Sequence, residues 1–171
     1  MKPSLIYLIG FSTSGKSTLG KIIADKLNYQ FIDLDDAIIQ QQGKTINELF
    51  EEFGEDGFRK IEQQLLVTTL FLTETVIACG GGTPCYSDNL EFLLRNGKVI
   101  YLEVDETIIL ERMVNKVDER PLFKGKTKEE IATHINVLLT TRKSFYEMAD
   151  YTISNNSDEN TAVNTILKIL V

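Results

Sequence analysis

Residues Gly10 to Thr18 read GFSTSGKST, a full match to G-x-x-x-x-G-K-[ST], the pattern of a loop that cradles phosphates. Glycines let a backbone approach phosphate oxygens closely, and successive N–H groups then point at the negative charge. Lys16 can reach the outer phosphates, and the Ser17 hydroxyl is placed to hold Mg²⁺ directly. Thr13, Ser14, Gly15 and Thr18 complete the stretch expected to touch a nucleoside triphosphate. The apolar run Leu5–Ile9 before the loop and the helical spacing of Leu19, Ile22, Ile23 and Leu27 after it supply the strand–loop–helix context that the motif requires.

Two carboxylates, Asp33 and Asp35, follow at the end of a second apolar run. In phosphoryl transfer one carboxylate can organise the Mg²⁺ shell through water while another orients or deprotonates the attacking hydroxyl. Strand periodicity would aim both the same way. The competing reading is capping of the next helix by Asp35 or Asp36, since acids favour a first turn, and Asp36 is expected to do this. The five arginines are Arg59, Arg95, Arg112, Arg120 and Arg142, and each offers a rigid fork for carboxylates or phosphates. Arg59 and Glu62, three apart, read most simply as a surface pair. Gly80-Gly81-Gly82 forfeits side-chain packing, which suggests close backbone approach to a ligand. Cys79 and Cys85 lack metal-ligand spacing and read as free thiols, Cys79 as a small buried hydrophobe. His134 stands far from these motifs and is expected to be exposed or capping, with no catalytic role.

These residues need elements to hold them. A chain of 171 residues fits one domain, 1–171, with 43 % hydrophobic residues to build its core. The excess of 25 acids over 18 bases, with no basic stripe, argues against a nucleic-acid partner. No apolar run approaches membrane-spanning length, and the first strand leaves no room for a signal peptide, so a cytoplasmic location is expected. A monomer is the default, since no apolar surface stripe is left unassigned.

The periodicities predict strands at 4–9, 30–33, 75–79, 98–104 and 151–153, separated by helices. The helices run over 16–28, a block 35–72 opened in part by a Thr45/Glu48 capping box, a helix capped by Ser87 and closed by Gly97, 106–115, one from a second box at Thr127/Glu130 to about 149, and 158–170. Gly54 and Gly57 are expected to break the block before a longer helix begins near Phe58. The alternation implies an α/β fold, a central five-stranded parallel sheet flanked by helices. Ligands in such sheets lie outside the carboxyl ends of the strands, where the phosphate loop, Asp33 and the triple glycine converge. Residues 34–62 look like an insertion on this rim, and about 114–126, polar from 116, looks like a mobile lid.

In order along the chain stand the phosphate loop, D-x-D at Asp33 and Asp35, F-R-x-x-E at Phe58–Glu62, the triple glycine, R-P-L at Arg120–Leu122 and R-x-x-x-Y at Arg142–Tyr146. Together they make the chain resemble shikimate kinase, a P-loop small-molecule kinase, over nearly its whole length. The resemblance implies ATP-dependent phosphorylation of the shikimate 3-hydroxyl, giving shikimate 3-phosphate and ADP, in the chorismate and aromatic amino-acid pathway. It implies that Arg59, Arg142 and the Gly81 backbone bind the substrate and that Asp35 holds its hydroxyls and acts as base. It implies that Asp33 holds Mg²⁺ through water, that Arg120 closes from the lid onto the ATP phosphates, and that Arg112 stacks on adenine. Two departures stand out. Thr13 occupies a place where the family often has glycine or a small residue, and no proline follows Pro121, although the family's adenine-side loop near 154–159 often contains one. Rival readings are a gluconate or nucleoside monophosphate kinase and a nucleotide sensor without turnover. A GTPase switch lacks its N-K-x-D motif.

Overall fold

The first strand, β1 (Leu5–Ile9), buries all five of its residues, the pattern of a strand covered on both faces. The structure is a computed structural model that describes residues 3–115 and 125–170. After β1 come α1 (Lys16–Leu27), β2 (Gln30–Asp33), α2 (Leu34–Gln42), α3 (Ile46–Thr68), β3 (Thr75–Ala78), α4 (Asn89–Asn96) and β4 (Lys98–Glu103). They are followed by α5 (Glu106–Val114), α6 (Lys128–Tyr146), β5 (Tyr151–Ser154) and α7 (Glu159–Leu170), and short 3₁₀ turns occupy Thr69–Phe71 and Thr83–Cys85. The sheet order is β2-β3-β1-β4-β5, and every pairing is parallel. The chain leaves β1 towards one side and later returns to its other side. The loop after β1 therefore sits at the topological switch point, where open parallel sheets bind ligands.

Alternation along β1 divides the core. Leu5, Tyr7 and Ile9 pack with Ile77, Val99, Ile109, Ile131 and Tyr146 on the face covered by α5 and α6. Ile6 and Leu8 pack with Leu19, Ile23, Val163 and Ile166 of α1 and α7 on the other. A third, small cluster of Ile38, Leu49 and Phe58 belongs to α2 and α3 alone.

Both predicted capping boxes form, at Thr45/Glu48 and Thr127/Glu130. Five local expectations are corrected. β2 ends at Asp33, which is itself the N-cap of α2, so Asp35 lies in the helix and does not share a strand face with Asp33. Neither Asp35 nor Asp36 is the cap. Only Gly54 breaks α3, with φ 67° and ψ −177°, because Gly57 stays helical and is needed for close approach, its would-be Cβ standing 2.5 Å from that of Phe53. Ser87 does not cap α4: it has φ 48°, Asp88 precedes the helix, and no side chain bonds the helix start. Helix α6 ends at Tyr146, short of the expected 149. Arg120, Pro121 and Leu122, with most of the predicted lid, lie outside the described residues. Among the described residues no helix is long and apolar enough to cross a membrane.

Candidate active site

The phosphate loop turns into α1 so that Lys16 and Ser17 open the helix. The Lys16 ammonium is nearly buried and donates to the carbonyls of Gly10 at 2.9 Å and Phe11 at 2.8 Å. Ser17 Oγ donates to Asp33 Oδ2 at 2.5 Å, while Asp33 Oδ1 accepts from the N–H groups of Asp35 and Asp36. Asp33 thus takes the capping role expected of Asp36 and holds the Ser17 hydroxyl with the same carboxylate. One hydroxyl and one carboxylate beside a helix N-terminus form a hard oxygen set. That set suits Mg²⁺, which keeps several waters and takes phosphate oxygens as further ligands.

Asp35 lies one helical step beyond, facing the glycines: a Cβ at Gly80 would stand 2.9 Å from both Asp35 Oδ1 and Glu62 Oε1. Burial, then the charges of Asp33 and Glu62, push the Asp35 pKa up to about 6, against opposing pulls from Lys16 and Arg59. A carboxylate moved that far is a better base near neutral pH than the free side chain suggested by sequence.

Arg59 and Glu62 are not a surface pair. Arg59 is 7 % exposed and Glu62 0 %, with Nη1 donating to Glu62 Oε2 at 2.9 Å. The other Glu62 oxygen accepts from Thr83 Oγ1 at 2.6 Å, so the carboxylate is satisfied on both sides. The Arg59 guanidinium carbon sits 5.3 Å from the Phe58 ring centroid and 5.9 Å from that of Phe50. A Cβ at Gly82 would fall 2.1 Å from Arg59 Nη2, so a larger residue there would displace the guanidinium. Glu62 was missed as a site residue although a signal existed: it stands midway between Phe58 and Leu66, at i+4 from each neighbour on the buried face of α3.

One cavity of about 240 Å³ gathers Asp35, Arg59, Glu62, the three glycines and Arg142, and the loop residues Phe11 and Ser12 reach into its wall. His134 lines it too, two turns before Arg142 on α6, which corrects the expectation that it lies far from the site. Burial and the charges of Lys126 and Arg142 hold its pKa below the usual imidazole value. A second cavity of about 320 Å³ is lined by Thr13, Gly15 through Thr18, Arg112 and Glu159. Arg112 bridges two carbonyls there, of Thr13 at 3.0 Å and Asn155 at 3.2 Å, and Asn155 Nδ2 donates to Ser14 O at 2.8 Å. Asn155, buried beside Gly15, is a further residue that the motifs did not flag. Cys79 is buried, as expected, and burial raises its pKa well above that of a free thiol.

Thr13 is strained. Its φ of 68° is a left-handed conformation that β-branched residues rarely adopt, and its buried Oγ1 has no hydrogen-bond partner among the described residues. Thr13→Gly removes both penalties and adds only the unfolded-state freedom of glycine, a net gain of about 1 kcal/mol. Thermal unfolding should then rise by roughly 2–4 °C for a chain of this size. A lower melting temperature would show that the Thr13 conformation carries no such strain.

Comparison with known proteins follows this geometry closely. The family model for shikimate kinase matches residues 12–171. The shikimate kinase of Bacteroides thetaiotaomicron is 42 % identical over 154 residues, covering 90 % of this chain and 87 % of that one. A crystal structure of shikimate kinase from the same species superposes with a TM-score of 0.94 at 37 % identity, over 98 % of both chains. Shikimate kinase from Acinetobacter baumannii in complex with shikimate gives 0.87 at 34 % identity, over 97 % of this chain and 92 % of that one.

Proposed function

This chain belongs to the shikimate kinase family, and we propose how its sheet rim divides the work of phosphorylating shikimate with ATP, a step of aromatic amino-acid biosynthesis. The observation that carries the reading is the single cavity shared by Asp35, Arg59, the triple glycine and Arg142, with the phosphate loop in its wall. Shikimate is a carboxylated cyclohexene triol, and two guanidiniums form a clamp for its carboxylate. Arg59 is held for that task by Glu62, and the Gly81 backbone lies against the same space.

Asp35 then faces the ring hydroxyls and takes the proton of the 3-hydroxyl as its oxygen bonds to the γ-phosphorus of ATP and the bond from that phosphorus to the β-phosphate oxygen breaks, releasing ADP. A loose phosphoryl-transfer transition state needs little early proton removal, so alignment matters as much as basicity. On the other side of the loop, Lys16 and the N–H groups of Thr13 through Thr18 hold the phosphates, and Arg112 borders the nucleotide cavity. Ser17 would hold Mg²⁺ directly and Asp33 through water, and the bound cation would neutralise charge on the phosphates. Arg120 supplies positive charge to the leaving γ-phosphoryl from the lid of about 114–126, and residues 34–62 serve as the acceptor-binding insertion. The whole chain works as one domain, and we read it as a cytoplasmic monomer.

A coupled ADP-release assay with ATP, Mg²⁺ and shikimate tests the reading, with gluconate and nucleoside monophosphates as alternative acceptors. Turnover should depend on shikimate alone. ADP release that is indifferent to shikimate, or faster with another acceptor, would overturn it.

A further inference from the structure

Tyr146 closes α6 and is fully buried, its ring stacked on Tyr101 of β4 with centroids 5.1 Å apart. A buried phenol needs a partner for its hydroxyl. Here the hydroxyl donates to the carbonyl of Gly81 at 2.5 Å. Arg142, one turn earlier on the same helix, lies against the same glycine: a Cβ at Gly81 would stand 3.5 Å from its Nη1.

The carbonyls on either side of Gly81 are held differently. Gly80 O accepts from the N–H of Thr83 and Gly82 O from that of Cys85, both within the local turn. Gly81 O is held by a side chain from a helix 65 residues further along the chain. Three successive glycines have the softest backbone available, so the orientation of the middle one must be imposed from outside. The ring stack on Tyr101 prevents the phenol from swinging away.

We infer that Tyr146 is a positioning residue for the acceptor half of the site, its hydroxyl orienting the Gly81 backbone against the Arg142 guanidinium. Burial raises the phenol pKa above its usual value, so the hydroxyl keeps its proton and remains a donor to Gly81 at working pH. The inference rests on the reading that Gly81 and Arg142 bind shikimate.

The test is steady-state kinetics of wild type, Tyr146→Phe and Tyr101→Phe, varying shikimate and ATP separately, with melting temperatures recorded alongside. Tyr146→Phe keeps the ring and removes one hydrogen bond, so the KM for shikimate should rise about five- to tenfold. Its kcat should stay within about twofold and its KM for ATP should not change, because the contact to shikimate is weakened equally in the ground and transition states. Tyr101→Phe keeps the stack, and the hydroxyl it loses bonds to neither Gly81 nor Arg142, so its shikimate KM should match wild type. An unchanged shikimate KM in Tyr146→Phe overturns the inference. So does an equal rise in both KM values, or the same rise in Tyr101→Phe, since either would mark a general packing defect. A wild type without shikimate-dependent turnover overturns the functional reading and this inference with it.

Discussion

Asp35→Asn is expected to lower kcat by two to four orders of magnitude, the usual worth of a positioned base, while making the Mg²⁺-free protein more stable. The two effects share one cause. Asp35 is crowded against Asp33 and Glu62 in a partly buried cleft, which raises its folded pKa from 3.8 to about 6. A raised carboxylate pKa means that the folded state resists ionisation more than the unfolded chain does. The contribution of Asp35 to stability is therefore greatest below about pH 4, falls as pH rises towards 6, and levels off above it. At neutral pH the ionised group costs the fold about 1–3 kcal/mol, the lower end applying where solvent screens it. An asparagine of the same shape carries no charge and no such cost. Thermal scans in EDTA at pH 4 and pH 8 should show the variant gaining on wild type mainly at pH 8. A variant less stable than wild type at pH 8 would show that Asp35 is not held under electrostatic strain.

Glu62→Ala should destabilise the protein by about 3–5 kcal/mol, because it leaves the Arg59 guanidinium buried without its ion-pair partner. The other carboxylate in ion-pair reach of Arg59 among the described residues is Glu55, 3.7 Å away and largely exposed, which is too weak a substitute. Thr83 Oγ1 loses its acceptor in the same step, and with it the bond from α3 to the turn after the triple glycine. The shikimate KM should rise by at least tenfold as Arg59 loses its fixed orientation. Urea unfolding and acceptor kinetics on the same preparation check both halves. A change in stability below about 1 kcal/mol would show that the pair is not coupled to the fold.

Much of this was legible from the chain because the signals were local. Each predicted strand appeared within a residue or two, since apolar runs between helical periods are read within a short window. The loop needed only its own residues and flanks, and two capping boxes were set by residues three apart. What escaped was set by contacts between distant segments. Gly54 and Gly57 look alike in the sequence, and only the tertiary path decides that the first turns the chain and the second admits Phe53. That bend sets the rotation of the rest of α3, and therefore whether Arg59 and Glu62 face water or the glycines. His134 and Asn155 carry no motif, and their places follow from how α6 and the end of β5 dock on the sheet.

Asp33 has a consequence for how the two halves of the rim communicate. One of its oxygens is engaged by the start of α1 at Ser17, the other by the backbone of Asp35 and Asp36. The helix that begins at the phosphate loop and the helix that carries Asp35 are thus geared to the same carboxylate, a single tooth between two wheels. A displacement of Ser17 would move the carboxylate that caps α2, and a shift of the first turn of α2 would act back on Ser17. Thermodynamic reciprocity then requires that whatever help nucleotide binding gives to the acceptor through this gear, the acceptor gives back in equal measure.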